Sequence, residues 1–167
     1  DQRGHGKTDK PNNGYDFETI VGDLQSFINA LQFVNPIVIG HSWGGNVALS
    51  YAAKKNMETA GIVLVDGGTI EISSQLDSNL EQAKIDMAPP VWDGMTENDL
   101  LERARRWRPE GMDSEAHINI LLANFQLLQD GTITSRLARE NHIRIIEALW
   151  EHKPSSLYKS CLLYTSP

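Results

Sequence analysis

The chain has 167 residues, of which 40% are apolar, and its formal net charge at pH 7 is -7. A chain of this length suits one globular domain, or most of one, because it can bury well over half of its unfolded surface. The acidic balance disfavours nucleic acid as a partner, and no apolar run approaches the roughly 18 residues that a membrane span needs. The single cysteine, Cys161, cannot form an internal disulfide, which agrees with a cytoplasmic location.

Residues 1–15, DQRGHGKTDKPNNGY, are predicted to form a loop, because glycine and proline interrupt them and they show no periodicity. The chain starts at Asp1 without a methionine, so we expect it to be an internal piece of a longer protein. From Phe17 to Leu31 the apolar residues recur every three or four positions, which predicts a helix with Asp16 as its N-cap.

A parallel β-α-β unit is predicted next. Pro36 to Gly40 and Gly61 to Asp66 are short continuous apolar runs, as expected for parallel strands covered on both faces. Between them, apolar residues at helical spacing predict a helix that reaches about Asn56. Strand, helix and strand within about thirty residues form a unit with a right-handed crossover.

After Gly68 the pattern becomes helical. Apolar spacing predicts helices near Ser74 to Ala88, Thr96 to Trp107, Ser114 to Gln129 and Arg139 to His152. Thr96 and Asp99 resemble a capping box, and Asp130-Gly131 is interpreted as a helix stop. We therefore expect a helical insertion that contributes no strand to the sheet.

The segment GHSWG, Gly40 to Gly44, separates the first predicted strand from the following helix. A nucleophilic serine must project from a tight, strained strand-to-helix turn whose neighbours are small, and Ser42 lies between two glycines at such a turn. The helix directs backbone N–H groups toward a developing oxyanion, and the N–H of Trp43 is the first candidate donor. We expect a positive φ at Ser42. A small-residue turn with a structural serine is the alternative.

This segment resembles the nucleophile elbow of the α/β-hydrolase superfamily. Upstream, DQRGHGKTDKP resembles the Asp-x-Arg-Gly-x-Gly-x-Ser loop of cap-bearing members, with Thr8 at the usual serine position. The resemblance covers about residues 1–160. It implies a partial α/β-hydrolase core over 1–69, a helical cap over 70–153 and a return toward the core over 154–167. We interpret the last seven residues, CLLYTSP, as read-through into a sequencing adapter; the start of a further core strand is the alternative.

In this superfamily the catalytic residues follow the chain order serine, acid, histidine. The resemblance places the usual acid and the histidine beyond this chain, and none of its five histidines occupies the position of the base. A minority of members place the acid after the strand that Asp66 ends, so Asp66 is a candidate acid; a capping or turn role is the alternative. Asp1 and Arg3 are interpreted as structural residues of their loop.

The resemblance implies a serine hydrolase that cleaves an ester or related acyl bond of a small molecule through an acyl-enzyme on Ser42. A serine at this position argues against the branches that form an alkyl-enzyme on a carboxylate. A non-catalytic ligand receptor or interaction protein of the same fold is the alternative function. No cofactor or metal is implied, because no histidine and carboxylate cluster has ligand spacing. Candidates to line the substrate pocket are Met87, Trp92, Met95, Trp107, Met112, Phe125 and Trp150; a role in the ordinary core of the cap is the alternative for each, and the favoured one.

Overall fold

The computed structural model describes residues 1–54, 58–77, 79–92, 94–107 and 115–161. Contacts between residues divide the chain into two compact units. The sheet unit comprises Asn13–Ala88 and the segment that begins at Ile143, and the hairpin unit comprises Asp1–Asn12 and Pro89–His142. The domain boundaries expected from the sequence stay a prediction, and residues 162–167 of the proposed adapter segment lie outside the described residues.

The sheet unit begins with helix α1 (Phe17–Ala30), which confirms the predicted helix to within one residue. Asp16 is its N-cap, as predicted, and its carboxylate accepts hydrogen bonds from the backbone N–H and the hydroxyl of Thr19, both at 2.8 Å. A helix start leaves N–H groups without an intrahelical acceptor, and this carboxylate satisfies one of them.

A parallel β-α-β unit follows, composed of strand β1 (Ile37–His41), helix α2 (Trp43–Ala53) and strand β2 (Gly61–Val65). The strands pair in parallel from Ile37 opposite Gly61 to His41 opposite Val65. Most of α2 is buried, because α1 and both strands pack against it. The partial α/β core predicted from the sequence is therefore present.

One face of this two-stranded sheet carries four exposed aliphatic side chains. They alternate along the strands and are between 43% and 68% exposed: Ile37, Ile39, Val63 and Val65. Their continuous apolar runs predict strands that are covered on both faces, whereas no described element covers this face. The residues at alternate positions, which include the buried Gly40, lie on the other face.

Two short helices replace the single helix that is predicted near residues 74–88. Helix α3 (Ile72–Gln75) ends early, and helix α4 (Leu80–Asp86) begins after Asn79. The side-chain oxygen of Asn79 accepts a hydrogen bond from the backbone N–H of Gln82 at 3.0 Å, so Asn79 acts as a new N-cap.

The hairpin unit contains helix α5 (Glu97–Trp107), helix α6 (Glu115–Leu122), strand β3 (Phe125–Leu127) and strand β4 (Ile133–Ser135). The capping box predicted for α5 is confirmed. The Asp99 carboxylate accepts a hydrogen bond from the Thr96 N–H at 2.8 Å, and the Asp99 N–H donates to the Thr96 hydroxyl at 3.3 Å.

The helix predicted over 114–129 is wrong beyond Leu122, where the chain forms an antiparallel hairpin of β3 and β4. Asp130-Gly131, interpreted from the sequence as a helix stop, is the hairpin turn. The Asp130 carboxylate accepts hydrogen bonds from the N–H and hydroxyl of Thr132 at 3.0 and 2.7 Å, and Gly131 has a φ of 83°. Phe125 and Ile133 pack with Leu100 in a small core, which favours the hairpin.

Helix α7 (Arg139–Glu151) and helix α8 (Pro154–Tyr158) follow, and α7 confirms the last predicted helix to within one residue. Within the sheet unit the Lys84 ammonium lies 2.7 Å from the Glu147 carboxylate and 3.1 Å from that of Glu81. In the described part of the chain, β3 and β4 form a sheet of their own and do not pair with β1 or β2. None of its helices combines the length and apolar character needed to cross a bilayer.

Candidate active site

Ser42 lies at the junction between β1 and α2, and its backbone conformation is unusual. Its φ is 53° and its ψ is -121°, a combination that costs a residue with a side chain roughly 1–3 kcal/mol. Its N–H donates to the Val65 carbonyl at 2.9 Å, and its own carbonyl accepts from the Gly45 N–H at 2.9 Å. The predicted positive φ is confirmed, and the Ser42 side chain is on the exposed surface.

Two glycines allow the backbone to pack this closely. A Cβ atom at Gly40 would lie 2.0 Å from the Gly44 carbonyl oxygen, so β1 and α2 can approach only without a side chain there. A Cβ atom at Gly67 would lie 2.0 Å from the carbonyl oxygen of Ser42 itself. The sequence predicts the role of Gly40. It does not predict that of Gly67, although a glycine pair directly after the predicted strand Gly61 to Asp66 is a detectable signal.

Trp43 is the first residue of α2, and its side chain is buried. The N-terminal end of a helix carries a partial positive charge, which stabilises an anion placed close to it. The position of Trp43 therefore fits a backbone donor to an oxyanion, and this role stays a prediction.

A cavity of about 270 Å³ opens beside Ser42 in the sheet unit. Its walls are mainly apolar and include Leu64, Ile72, Met87 and Leu149. Asp66 lies directly after β2 and also lines the cavity, with a φ of 47°. The structure thus brings both candidate side chains of the sequence, Ser42 and Asp66, to one cavity.

Asn46 also lines this cavity, and sequence reasoning misses it. It lies in the first turns of α2 and is 6% exposed. Its side-chain nitrogen donates to the Ser42 carbonyl at 3.4 Å, whereas its buried side-chain oxygen has no hydrogen-bond partner among the described residues. The only signal in the sequence is an amide side chain within a largely apolar helix.

No histidine of the described residues lines the Ser42 cavity. His152 follows α7 and is buried; its Nε2 lies 2.9 Å from the hydroxyl of Ser50, and its ring stacks on Phe17 with centroids 4.0 Å apart. Burial lowers the pKa of His152 from 6.5 to about 4, against a smaller opposing effect of Glu71. His152 therefore remains neutral near pH 7 and links α2 to the end of α7.

Helix α8 holds the segment that follows Asp66. The Tyr158 hydroxyl donates to the Gly68 carbonyl at 2.7 Å, and the Ser155 hydroxyl donates to the Glu71 carboxylate. Since Gly68 also lines the cavity, α8 fixes one of its walls. These contacts join residues about ninety positions apart, so sequence patterns do not reveal them.

The N-terminal loop is held by its own polar groups, as part of the hairpin unit. The Asp1 carboxylate accepts a hydrogen bond from the Lys7 N–H at 3.1 Å, and a Cβ atom at Gly6 would lie 2.0 Å from that carboxylate. The Thr8 hydroxyl is 2.6 Å from the carbonyl oxygens of both Gln2 and His5. This arrangement supports the interpretation of Asp1 as a structural residue.

The candidate pocket residues fall into separate groups. Met87 lines the Ser42 cavity, whereas Trp92, Met95 and Phe125 belong to the small core of the hairpin unit. Trp150 is half-buried on α7. Met112 and the side chain of Trp107 lie outside what the structure describes.

Comparison with known proteins identifies a family model and several relatives of the chain. A family model described as the alpha/beta hydrolase fold matches residues 1–108. The chain is 43% identical over 54 residues to the AB hydrolase superfamily protein YisY of Bacillus subtilis, an alignment that covers 32% of this chain and 20% of that protein. It is 36% identical over 66 residues to 2-(acetamidomethylene)succinate hydrolase of Mesorhizobium japonicum, covering 40% and 24% respectively.

Among solved structures, E-2-(acetamidomethylene)succinate hydrolase superposes with a TM-score of 0.73 at 21% identity. This superposition covers 97% of the present chain and 58% of the solved one. At this identity the likeness shows a shared fold. The chain spans less than two thirds of that structure, and its alignments cover about a quarter or less of these curated relatives.

Proposed function

The chain belongs to the α/β-hydrolase family, and from that premise we propose that it carries the nucleophile of a serine hydrolase that cleaves an ester or related acyl bond of a small molecule. The observation that carries this proposal is the strained positive φ of Ser42, between a parallel strand and a helix, at the mouth of an apolar cavity. Residues in sparsely populated backbone regions are concentrated at active sites.

In the proposed reaction the Ser42 hydroxyl oxygen attacks the acyl carbon while its proton passes to a histidine base. The Trp43 N–H stabilises the oxyanion of the tetrahedral intermediate, and the leaving group takes the proton as the acyl-enzyme forms. A water molecule then hydrolyses the acyl-enzyme and restores the serine. A complete site of this kind also contains a base, an acid and a second oxyanion donor, each in the correct position relative to the nucleophile.

Asp66 is the one carboxylate among the described residues that lines the Ser42 cavity. It is therefore the candidate acid within this chain. No described histidine lines the cavity, so we propose that the base and the second oxyanion donor come from parts of the enzyme outside this chain. The partial coverage of the relatives supports this view.

The experiment is active-site labelling of the full-length enzyme with a fluorophosphonate probe, which reacts with an activated serine. We expect peptide mapping to find the label on Ser42, and Ser42→Ala to abolish it. Ser26→Ala is the matched control, because Ser26 is exposed on α1 and outside the cavity. A folded protein that stays unlabelled would favour the alternative of a non-catalytic receptor.

A further inference from the structure

Gly67 packs its backbone against the peptide group that joins Ser42 to Trp43. A Cβ atom on Gly67 would lie 2.0 Å from the Ser42 carbonyl oxygen, 2.7 Å from its carbonyl carbon and 2.8 Å from its Cα. Cβ atoms do not approach other heavy atoms so closely, so a side chain at this position would collide with the backbone of the candidate nucleophile. Unlike Gly68, whose φ is 79°, Gly67 does not have a positive φ. The chain therefore needs glycine at position 67 for the space beside Ser42 and not for the backbone conformation.

The backbone of Ser42 is held on several sides. Its carbonyl oxygen accepts a hydrogen bond from the Gly45 N–H at 2.9 Å, and its N–H donates to the Val65 carbonyl at 2.9 Å. A Cβ atom on Gly45 would lie 2.9 Å from the carbonyl carbon of Gly67, so α2 and the segment after β2 meet backbone to backbone. A residue keeps a sparsely populated conformation such as that of Ser42 only where its surroundings impose it, and the contact with Gly67 is one of these constraints.

The segment that presents Gly67 is itself fixed. The Tyr158 hydroxyl donates a hydrogen bond to the Gly68 carbonyl at 2.7 Å. Gly68 is buried, and a Cβ atom on it would lie 3.0 Å from the Gly45 carbonyl oxygen. Retreat of this segment from a new side chain at position 67 would strain the hydrogen bond to Tyr158. We therefore expect the Ser42 peptide group to move instead.

The orientation of this peptide group also sets the direction of the candidate oxyanion donor. A peptide group is planar and trans, so the Ser42 carbonyl and the Trp43 N–H share one rigid plane and point in opposite directions. Rotation about the ψ angle of Ser42, which is -121°, turns both groups together. If a side chain at position 67 displaced the Ser42 carbonyl oxygen, the Trp43 N–H would turn with it. A hydrogen bond weakens steeply as its donor angle departs from linearity, so this rotation would weaken the donor's hold on an oxyanion.

We infer that Gly67 is a positioning residue: by excluding a side chain it fixes the orientation of the Ser42–Trp43 peptide group, and so the direction in which the Trp43 N–H donates to the developing oxyanion. The inference rests on the proposed function for the role of the Trp43 N–H. The orientation of the peptide group does not depend on whether Ser42 reacts, so the two can be tested separately.

The first measurement is the N–H residual dipolar coupling of Trp43 in residues 1–167, because this NMR coupling reports the direction of the bond within the molecule. We expect Gly67→Ala to change the Trp43 coupling and to leave that of Leu49, later in α2, at its wild-type value. Gly61→Ala in β2 is the matched control, because a Cβ atom there has no atom within 4 Å. An unchanged Trp43 coupling in folded Gly67→Ala, or an equal change at Leu49, contradicts the inference.

The second measurement is the hydrolysis of p-nitrophenyl acetate by the full-length enzyme. We expect Gly67→Ala to lower kcat by roughly ten- to a hundredfold and to leave KM within about twofold, because an oxyanion donor acts mainly in the transition state. Gly131→Ala in the hairpin turn controls for a general loss of stability and should keep the wild-type kcat. An unchanged kcat in Gly67→Ala, an equal loss in Gly131→Ala, or a loss of kcat/KM that lies in KM contradicts the inference.

Tyr158→Phe is the second variant and decides both measurements if Gly67→Ala does not fold. It removes only the hydroxyl that holds the Gly68 carbonyl, from a side chain that is 44% exposed. We expect a change in the Trp43 coupling and a smaller loss of kcat at constant KM, and wild-type values of both would contradict the inference. A wild-type enzyme that shows neither turnover nor fluorophosphonate labelling at Ser42 would instead contradict the proposed hydrolase. The residual dipolar couplings would still decide whether Gly67 orients the peptide group.

Discussion

Two glycines in the paired strands differ in the space available for a Cβ atom, and this difference predicts how each responds to substitution by alanine. Gly40 in β1 faces the backbone of Gly44, whereas no atom lies within 4 Å of a Cβ placed on Gly61 in β2. We expect Gly40→Ala to lower the free energy of unfolding by about 1–3 kcal/mol or more, as overpacking does, and to displace the Ser42 turn.

Gly61→Ala is the matched control and should change the free energy of unfolding by less than about 0.5 kcal/mol. Urea denaturation of both variants provides the measurement. Equal losses in the two variants would mean that the close approach of β1 and α2 does not constrain Gly40.

His152 gives the chain a defined dependence of stability on pH. Burial lowers its folded-state pKa from 6.5 to about 4, so between these pH values the unfolded chain binds more protons than the folded chain. The stability contributed by neutral His152 is complete above pH 6.5 and is lost as the pH falls toward 4. We expect a decrease on the order of 2 kcal/mol across this window from His152 alone.

The measurement is the free energy of unfolding from pH 7.5 to pH 4 in the wild type and in His152→Gln. Burial also lowers the pKa values of His5 and His142, so the informative quantity is the difference between the two slopes. His117→Gln, at an exposed position on α6, is the control. Parallel profiles for the wild type and His152→Gln would show that burial of His152 does not govern this dependence.

At the scale of elements, the sequence predicts those parts of the fold whose signals are local. Asp16 starts α1 through its own side chain, and the continuous runs of β1 and β2 need no knowledge of distant residues. The Ser42 turn belongs to the same class, because GHSWG carries its small residues within five positions.

The sequence does not predict the β3–β4 hairpin, because over so short a segment its apolar residues fit both the helical period and the strand period. Phe125 fits the spacing of a helix, and only its packing with Ile133 and Leu100 selects the strand. The cavity residue Gly67 is missed for a related reason. Its role depends on the approach of the segment after β2 to α2, and the contact of α8 with Gly68 spans ninety positions.

Substitution by alanine should change the free energy of unfolding in opposite directions at two glycines, one in α1 and one in the hairpin turn. Gly22 lies inside α1, and a Cβ atom there would have no atom within 4 Å, so Gly22→Ala should raise the free energy of unfolding by about 0.5–1 kcal/mol. Gly131 in the hairpin turn has a φ of 83°, which alanine adopts only with strain, so Gly131→Ala should be destabilising by roughly 1 kcal/mol. Thermal unfolding compares the two, and a stabilising Gly131→Ala would contradict the assigned hairpin turn.

At the scale of the whole molecule, the exposed sheet face and the surroundings of Ser42 have a common feature. Parallel sheets are normally covered on both faces, yet Ile37, Ile39, Val63 and Val65 are exposed in the described chain. In the same way, the Ser42 cavity has a candidate nucleophile and a carboxylate but no described histidine. The described parts are those of a partial α/β-hydrolase core, and under the proposed function they would need a covering element and a base from outside the described residues.

On its own, this chain should therefore have negligible hydrolytic activity even when it is folded. A serine hydroxyl is a weak nucleophile without a base, and in a serine protease the loss of the base alone lowers turnover by a factor on the order of 10⁶. The buried His152 cannot substitute, because its Nε2 is engaged with Ser50 and it does not line the cavity.

The measurement is turnover of p-nitrophenyl acetate by residues 1–167, with Ser42→Ala as the background control and a full-length relative with the same GHSWG segment as the positive control. We expect the wild-type chain and Ser42→Ala to be indistinguishable. Turnover that disappears in Ser42→Ala would instead show that residues of this chain complete the site. Asp66→Asn would then be the first variant with which to identify them.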